Sequence, residues 1–314
     1  MRRSRDRRIF LSRAQPSPTS LRSTADNAPD GGFRKGTRDG ITCAAMNPFH
    51  EQNRRAWDER VRQRAWHTET ADAAAFASPL AAVDDCGWLG PSVRGRRVLC
   101  LAAGGGKHGP LLAAAGAEVT VVDLSPAMLE QDRRVAVARG LKLRLVEASM
   151  LDLSALAAGF FEVVIQPVSS CYVPDVVVAY REVARVTIAG GLYLSQHKQP
   201  ASLQADMLPT ARGYPVAEPY YRTGPLPPAG DGLQHREAGT AEFLHRWSEL
   251  LGGMCRSGFV IEDLVEPRHA DPQAEPGTFA HRCGYLPPFV TVKARRVGGA
   301  EAQPKLWTPH AISR

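Results

Sequence analysis

Three consecutive glycines end an apolar run in this sequence, within residues 98–109 (VLCLAAGGGKHG). A helical pattern of apolar residues, which includes Leu111 and Leu112, begins directly after them. A strand, a glycine turn and a helix start in this order are typical of a nucleotide-type ligand site at the carboxyl edge of a parallel sheet. Glycine is needed there because a side chain would keep the ligand away from the backbone, and because such a turn can demand a positive φ.

One acidic residue stands where a second apolar run ends. Asp123 follows the run EVTVV at residues 118–122 and lies 19 residues after Gly104. A carboxylate at this distance can accept hydrogen bonds from both hydroxyls of a ribose. The alternative is an ordinary tight turn with an unrelated acid. The combination of glycine loop and spaced acid favours the ligand site over that alternative.

Four further motifs follow the glycines in order along the chain. They are VVDLSPAML at residues 121–129, VEASMLDL at 146–153, FEVVIQPVS at 161–169 and RVTIAGGLYL at 185–194. Together with the glycine loop, they resemble the five motifs of class I S-adenosylmethionine-dependent methyltransferases, and the resemblance extends over residues 53–297. The glycine loop and the segment PVSSCYVPD at residues 167–175 resemble the bacterial branch of this family called methyltransferase type 11.

The resemblance implies a fold, an activity and a cofactor. The expected fold class is α/β, with a Rossmann-like, doubly wound sheet of seven mostly parallel strands and helices on both faces. The expected activity is transfer of a methyl group from S-adenosyl-L-methionine to a small molecule. The alternative is an NAD(P)-dependent oxidoreductase, because GGGKHG at residues 104–109 also matches the dinucleotide fingerprint G-x-G-x-x-G. The sequence shows no catalytic residue pair of dehydrogenase type that would favour this alternative.

The family motifs also imply which residues contact the cofactor. They lie in the glycine loop, around the acid, in the segment that holds the adenine ring and at the end of the fourth strand: Ala102, Ala103, Gly104, Gly105, Gly106, Asp123, Leu124, Ser125, Met128, Ser149, Met150, Leu151, Gln166, Pro167 and Val168. Three positions depart from the family pattern. Ala102 replaces the first glycine of the loop and is expected to forbid a positive φ. Cys100 replaces a common acid that helps to hold the methionine end, and Ser149 replaces an acid near the adenine amine.

Methyl transfer needs little acid–base chemistry from the protein. The sulfonium of the cofactor is already a good leaving group, so the enzyme chiefly aligns the attacking atom with the methyl group. A base is needed only when the attacking atom carries a proton. His197 and Tyr172, just past the predicted fourth and fifth strands, are the expected catalytic residues, with Gln166 and Ser169 as further candidates. A solvated loop histidine is the alternative interpretation of His197.

The positive charge of the chain is concentrated near its beginning. The whole sequence has a formal net charge of +7, and residues 1–45, with ten basic and four acidic residues, account for +6 of it. The rest of the chain is almost neutral, so no nucleic-acid partner is expected. Residues 1–45 are also rich in Ser, Pro and Gly, which predicts a disordered arm, a transit peptide or translated sequence upstream of a true start at Met46.

The remaining residues are expected to form one domain and a second tail. Residues 46–297 make up the predicted methyltransferase domain, with a Pro- and Gly-rich insertion at about 200–240 in the place of a substrate lid. Residues 298–314 are a predicted polar tail. The sequence patterns predict helices at residues 51–64, 68–77, 108–115, 126–139, 176–186 and 242–251, and strands at 98–101, 118–123, 142–147, 161–166, 191–196, 259–264 and 288–295.

The composition matches an ordinary globular enzyme. Hydrophobic residues make up 44% of the chain and charged residues 23%. No apolar run approaches the ~20 residues that span a bilayer, so no membrane partner is expected. The six cysteines are scattered without a C-x-x-C pair, which predicts free thiols in a reducing, cytoplasmic compartment and no metal site. The sequence gives no indication of the oligomeric state.

Overall fold

The structure is a computed structural model, and it describes residues 48–230 and 235–298. These residues belong to one compact unit. The predicted basic tail at residues 1–45, and the predicted polar tail beyond residue 298, lie outside the described residues.

The described residues form the helices and strands of an alternating α/β chain. The helices are α1 (Pro48–Arg62), α2 (Ala73–Ala77), α3 (Pro79–Val83), α4 (His108–Ala114), α5 (Pro126–Arg139), α6 (Val176–Val186), α7 (Pro200–Gln204), α8 (Trp247–Arg256) and α9 (Phe279–Arg282). The strands are β1 (Arg97–Leu101), β2 (Glu118–Asp123), β3 (Leu143–Glu147), β4 (Phe161–Gln166), β5 (Thr187–Lys198), β6 (Phe259–Val265) and β7 (Phe289–Arg296).

The strands form one sheet with the order β3-β2-β1-β4-β5-β7-β6. The first five strands pair in parallel, and β7 pairs antiparallel with both β5 and β6. The strand order reverses direction between β1 and β4, where a doubly wound sheet opens a crevice at its carboxyl edge. The predicted fold class is confirmed.

Alternate residues of the strands face two separate cores. In β1, Leu99 and Leu101 pack into a core with α6 and α8, whereas Val98 and Cys100 pack into a core that includes Leu112 of α4. All four of these β1 side chains are fully buried. A strand that is buried on both faces reads as a continuous apolar run, which is why β1 was visible in the sequence.

Local signals set both ends of α5. Ser125 accepts a hydrogen bond from Met128 N, and Pro126 occupies the first helical position. Gly140 ends the helix in the left-handed conformation, at φ +65°. The predicted bounds of this helix are confirmed.

Two sequence predictions about the second half of the domain were wrong. The predicted helix at residues 242–251 is instead α8, which begins at Trp247 and continues past Gly252 and Gly253 to Arg256. The fifth strand was predicted to end at residue 196 but extends to Lys198. The described parts of the predicted insertion contain α7 and two isolated bridges, Ala205 with Val216 and Thr210 with Gly213.

Candidate active site

Four neighbouring strands end at the same edge of the sheet. β3, β2, β1 and β4 are adjacent and parallel, so the loops after them lie side by side. The predicted cofactor residues occupy these places: residues 102–106 after β1, 123–125 at the end of β2, 149–151 after β3 and 166–168 at the end of β4. The fold therefore brings the predicted residues to one edge, although they are spread over more than sixty positions of the sequence.

The glycine loop, which we define as residues 102–107, follows β1 in an unusual backbone conformation. Gly105 and Gly106 have φ values of +111° and +75°. Ala102 has φ +47°, so the expectation that alanine forbids a positive φ at this position was wrong. Its amide donates to the carbonyl of Val122 at 2.7 Å, and this bond to the end of β2 helps to hold the strained residue in place.

Gly104 is required by close packing rather than by its φ. A Cβ at this position would lie 2.8 Å from the Cβ of Met128 and 2.9 Å from Oδ2 of Asp123. Both distances are shorter than non-bonded atoms tolerate, so a side chain here would displace either the loop or the acid. The glycine loop and Asp123 therefore form one unit.

Asp123 holds the loop through its carboxylate. Oδ2 accepts from Gly104 N and Oδ1 accepts from Ser125 N, each at 2.9 Å. Burial raises the pKa of Asp123 to about 6, although these backbone donors oppose the shift. Because each carboxylate oxygen has two lone pairs, Asp123 can accept further hydrogen bonds from the hydroxyls of a ribose.

Helix α1 packs against the predicted cofactor residues. Asp58 Oδ1 accepts from Ser125 Oγ at 2.6 Å and from Ala127 N at 3.2 Å. His50 Nε2 lies 3.2 Å from Ser149 Oγ. Sequence reasoning missed His50 and Asp58, because no local pattern marks contacts between residues so far apart in the chain. A carboxylate at the beginning of α5 also interacts favourably with the dipole of that helix.

Gln166 uses its side chain within the protein. Its Nε2 donates to Ser169 Oγ at 2.9 Å and lies 3.5 Å from the sulfur of Met150. The hydroxyl of Tyr193 donates to its Oε1. These contacts join the predicted residues of the third and fourth strands, and leave Gln166 buried.

The two predicted catalytic side chains are both buried and paired. The Tyr172 hydroxyl donates to Glu237 Oε2 at 2.7 Å, and burial together with the Glu237 charge raises the pKa of Tyr172. His197 lies within β5 and not in a loop, with Nδ1 2.8 Å from Ser170 Oγ and Nε2 2.8 Å from Ser195 Oγ. Burial lowers the pKa of His197 to about 3. The alternative of a solvated loop histidine was therefore wrong, because β5 extends beyond this residue.

A buried cluster of charges, which sequence reasoning missed, lies beside Tyr172. Lys198, the last residue of β5, donates to Glu237 at 2.6 Å and to Glu242 at 2.7 Å, and Arg236 donates to Glu242 at 2.6 Å. Burial alone would lower the pKa of Lys198, but the two carboxylates raise it. For Glu237 the directions are reversed: burial alone would raise its pKa, but the charge of Lys198 lowers the pKa below the usual range. We call Lys198, Glu237, Glu242 and Arg236 the buried charge cluster.

A second acid, Asp132, lies next to the glycine loop and was also missed. Its Oδ2 accepts from Gly105 N at 3.0 Å, and its side chain has no exposed surface. The sequence did contain a signal for it. Asp132 falls on the buried stripe of α5, with Met128, Leu129 and Ala136, where an apolar residue would be expected.

The described residues contain no group of three His, Cys, Asp or Glu side chains that could hold a metal ion. Within the same part of the chain, no helix is long and apolar enough to cross a membrane.

Comparison with known sequences identifies relatives. A family model for a methyltransferase domain, of type 11, matches residues 99–195. An uncharacterized methyltransferase of Bacillus subtilis, YbaJ, is 31% identical over 241 residues, which cover 71% of this chain and 92% of the relative. The match spans the sheet edge described above.

Comparison with solved structures gives the same fold. An S-adenosylmethionine-dependent methyltransferase from Mesorhizobium loti is 26% identical, with a TM-score of 0.54 over 71% of this chain and 98% of that one. A geranyl diphosphate C-methyltransferase from Streptomyces coelicolor also has a TM-score of 0.54, and covers 81% of this chain and 100% of its own. At 18% identity, the second likeness concerns the fold alone.

Proposed function

This chain belongs to the S-adenosylmethionine-dependent methyltransferases, and on that premise we propose that it methylates a small molecule. The observation that supports a small acceptor is that two segments cover the sheet edge. These segments are helix α1 and the residues around Ala241, and they bind each other. Asn53 of α1 donates to the carbonyl of Ala241 at 3.2 Å and accepts from Ala241 N at 2.7 Å.

The same two segments form hydrogen bonds with the loop after β4. Asn53 also donates to the carbonyl of Tyr172 at 2.9 Å, and Phe243 N donates to the carbonyl of Cys171 at 2.7 Å. An acceptor that reaches the cofactor has to fit between these segments and the sheet edge. This restriction favours a small molecule over a folded protein or a nucleic-acid duplex.

The residues at the edge suit S-adenosylmethionine. Asp123 retains lone pairs for ribose hydroxyls, and Gly104, which has no side chain and is only partly buried, leaves loop backbone accessible beside it. Ser149 lies where the adenine ring is expected, beside His50. Bound at this edge, the cofactor supplies a methyl group on a sulfonium, which an aligned nucleophile attacks directly.

We propose that Tyr172 and His197 help to orient the acceptor and do not transfer a proton. The Tyr172 hydroxyl is a donor to Glu237, and its raised pKa keeps it protonated. Both ring nitrogens of His197 lie at hydrogen-bond distance from serine hydroxyls. The reaction proposed here therefore depends on alignment of the acceptor in the covered space, and a proton leaves to solvent or to the acceptor's own groups.

A binding experiment tests the cofactor assignment against the dinucleotide alternative. S-adenosylhomocysteine at a hundredfold excess over its dissociation constant should stabilise the folded protein by about 2.7 kcal/mol, which raises the melting temperature measurably. NAD and NADP at the same concentrations should leave it unchanged. A shift with the dinucleotides alone would contradict the proposed cofactor site.

A labelling experiment tests the class of acceptor. The protein is incubated with methyl-labelled S-adenosylmethionine and a bacterial extract, which is then separated into macromolecules and small molecules. We expect the label in the small-molecule fraction, and its loss with the Asp123→Ala variant. Label that remains with protein or nucleic acid, and disappears on protease or nuclease treatment, would contradict a small acceptor.

A further inference from the structure

Asp132 is a charged residue in the apolar interior between α5 and the glycine loop. Its side chain is fully buried, and its Oδ2 accepts from Gly105 N at 3.0 Å. Gly106 N also interacts with this carboxylate. The Gly105 amide is shared with the carbonyl of Met128, also at 3.0 Å. Asp132 thus binds the amide of Gly105, whereas Asp123 binds the amide of the preceding residue, Gly104.

The other oxygen of Asp132 has no hydrogen-bond partner. Oδ1 is buried and unpaired. Burial raises the pKa of Asp132 to about 7, the nearby charge of Asp123 adds to this shift, and the amides of Gly105 and Gly106 oppose it. A buried carboxylate with an unpaired oxygen destabilises a fold. A residue that destabilises the fold is expected to contribute to function, and the atoms that Asp132 contacts belong to the glycine loop.

We propose that Asp132 is a positioning residue for the cofactor, which fixes the amides of Gly105 and Gly106 so that the glycine loop is already shaped to bind. Asp123 and Asp132 then hold consecutive amides of the loop, those of Gly104 and Gly105, from two different elements. A carboxylate makes stronger hydrogen bonds to these amides than a neutral side chain does. This inference rests on the proposed cofactor site.

Cys100 provides the means to test the inference by moving the charge. It lies on β1, is fully buried and faces the same core as α4 and α5. Asp132 lies in the same region, because the Cβ position of Gly109 is 3.2 Å from Asp132 Oδ1 and 2.6 Å from Cγ2 of Val121, the residue that pairs with Cys100. Burial raises the pKa of the Cys100 thiol, and the charge of Asp132 adds to the effect. Position 100 is also where the sequence led us to expect an acid. A carboxylate introduced there lies near the space that the Asp132 carboxylate occupies.

The first experiment replaces Asp132 by its neutral isostere. We expect Asp132→Asn to weaken S-adenosylhomocysteine binding by about fivefold to tenfold in titration calorimetry at pH 8, where Asp132 is ionised, because the hydrogen bonds to the loop lose their charge. Glu130→Gln, on the exposed side of the same helix, is the control and should bind like the wild type. A merely structural role predicts reduced stability with unchanged affinity in the folded protein.

As the pH rises, the stability of the ligand-free wild type should fall while its affinity for S-adenosylhomocysteine rises. With a pKa of about 7 when folded and an ordinary value near 4 when unfolded, Asp132 holds a proton in the folded protein between these values. Its contribution to stability is therefore greatest at acid pH and is lost as the pH rises to 7. Between pH 5 and pH 8, the denaturation midpoint of ligand-free Asp132→Asn should rise relative to the wild type. The groups that face Asp132 are Asp123, the Cys100 thiol and the amides of Gly105 and Gly106.

The second experiment moves the carboxylate to β1. Asp132→Ala should weaken S-adenosylhomocysteine binding by more than tenfold, and the double variant Cys100→Asp/Asp132→Ala should recover at least part of that loss. If the double variant binds no better than Asp132→Ala, or if Asp132→Asn binds like the wild type, the positioning role is wrong while the cofactor site stands. If the wild type does not bind S-adenosylhomocysteine at all, the cofactor site is wrong and this inference is wrong with it.

Discussion

At the scale of single residues, the geometry of Asp123 allows it to hold the glycine loop and also to bind a ribose, as we propose. Its oxygens accept from the amides of Gly104 and Ser125 and still have lone pairs for a ribose. We expect Asp123→Ala to weaken S-adenosylhomocysteine binding by about 1.5–3 kcal/mol, the range for hydrogen bonds to charged groups. Titration calorimetry measures this loss.

The control for Asp123→Ala comes from the opposite end of the same strand. Glu118 is the exposed first residue of β2, and Glu118→Ala should bind S-adenosylhomocysteine like the wild type. Asp123→Asn, which keeps the shape and one acceptor, should lie between the wild type and Asp123→Ala. Unchanged affinity in a folded Asp123→Ala protein would remove Asp123 from the site.

Sequence reasoning predicted a role for Asp123 but not for Asp132, and the difference has a physical cause. Asp123 follows a strand at a spacing that ribose recognition demands, so its position along the chain is informative. Asp132 reaches the Gly105 amide only because α5 packs against the sheet, which sequence spacing does not encode, although a charged residue on the apolar stripe of α5 was a signal that could have marked it. The left-handed conformation of Ala102 was missed for the same reason, because its hydrogen bond to Val122 depends on the pairing of β1 and β2.

At the scale of the elements, the contrast between α5 and α8 shows which signals the sequence carries. The bounds of α5 follow from Ser125, Pro126 and Gly140, all of which act on their own backbone. In α8, Gly253 does not end the helix, because it packs closely against α6. A Cβ there would lie 3.0 Å from Val177 and 3.3 Å from Tyr180. Close packing of two helices thus overrides the tendency of glycine to stop one.

The beginning of α8 was also decided by contacts beyond the helix. Residues 242–246 were predicted as its first turn, but Glu242 is bound to Lys198 and Phe243 N is bound to the Cys171 carbonyl. These bonds hold the segment extended until Arg246. There Glu249 accepts from the Arg246 amide at 2.8 Å and caps the helix. Local propensity alone favoured an earlier start.

The contact between α1 and α5 makes a prediction about the covering helix. Asp58 accepts from Ser125 Oγ and Ala127 N at the beginning of α5, and removal of its carboxylate leaves this end of α5 without two bonds. We expect Asp58→Ala to lower the free energy of unfolding by about 1–2 kcal/mol, as for the loss of a helix cap. Because α1 then packs less firmly on the predicted cofactor residues, S-adenosylhomocysteine affinity should also fall.

The exposed side of α1 provides the matched control. Glu59 pairs with Arg62 at the surface, so Glu59→Ala should change stability by less than about 0.5 kcal/mol. Urea denaturation and titration calorimetry compare the two variants. If Asp58→Ala is as stable as Glu59→Ala and binds equally well, α1 does not depend on this contact.

At the scale of the whole molecule, sequence reasoning predicted the strands and helices of the sheet but missed the buried charge cluster. Apolar runs predicted where the individual strands lie, and the resemblance to the methyltransferase family predicted that they form one mostly parallel sheet of seven strands. The buried charge cluster links the end of β5 with residues 236–242, and in the sequence its members resemble ordinary surface charges. Burial of such residues depends on residues 236–242 folding back over the sheet edge.

Removal of Lys198 tests how far this cluster stabilises the molecule. Lys198 is 5% exposed and is bound to Glu237 and Glu242, so its loss leaves two buried carboxylates with less compensation. We expect Lys198→Met to lower the free energy of unfolding by about 3–5 kcal/mol at neutral pH, the cost of breaking a buried ion pair. Arg62→Met, which breaks the exposed pair with Glu59, should cost less than about 1 kcal/mol.

A second substitution should recover part of the stability that Lys198→Met loses. In Lys198→Met/Glu237→Gln, the carboxylate left behind by the lysine is replaced by a neutral amide, whose oxygen still accepts from the Tyr172 hydroxyl. The double variant should therefore be more stable than the sum of the two single losses predicts, as measured by urea denaturation. Additive losses would show that Lys198 and Glu237 stabilise the protein independently. Residues 236–243 would then be held over the sheet edge by the backbone bonds of Ala241 to Asn53 and of Phe243 to Cys171 rather than by the cluster.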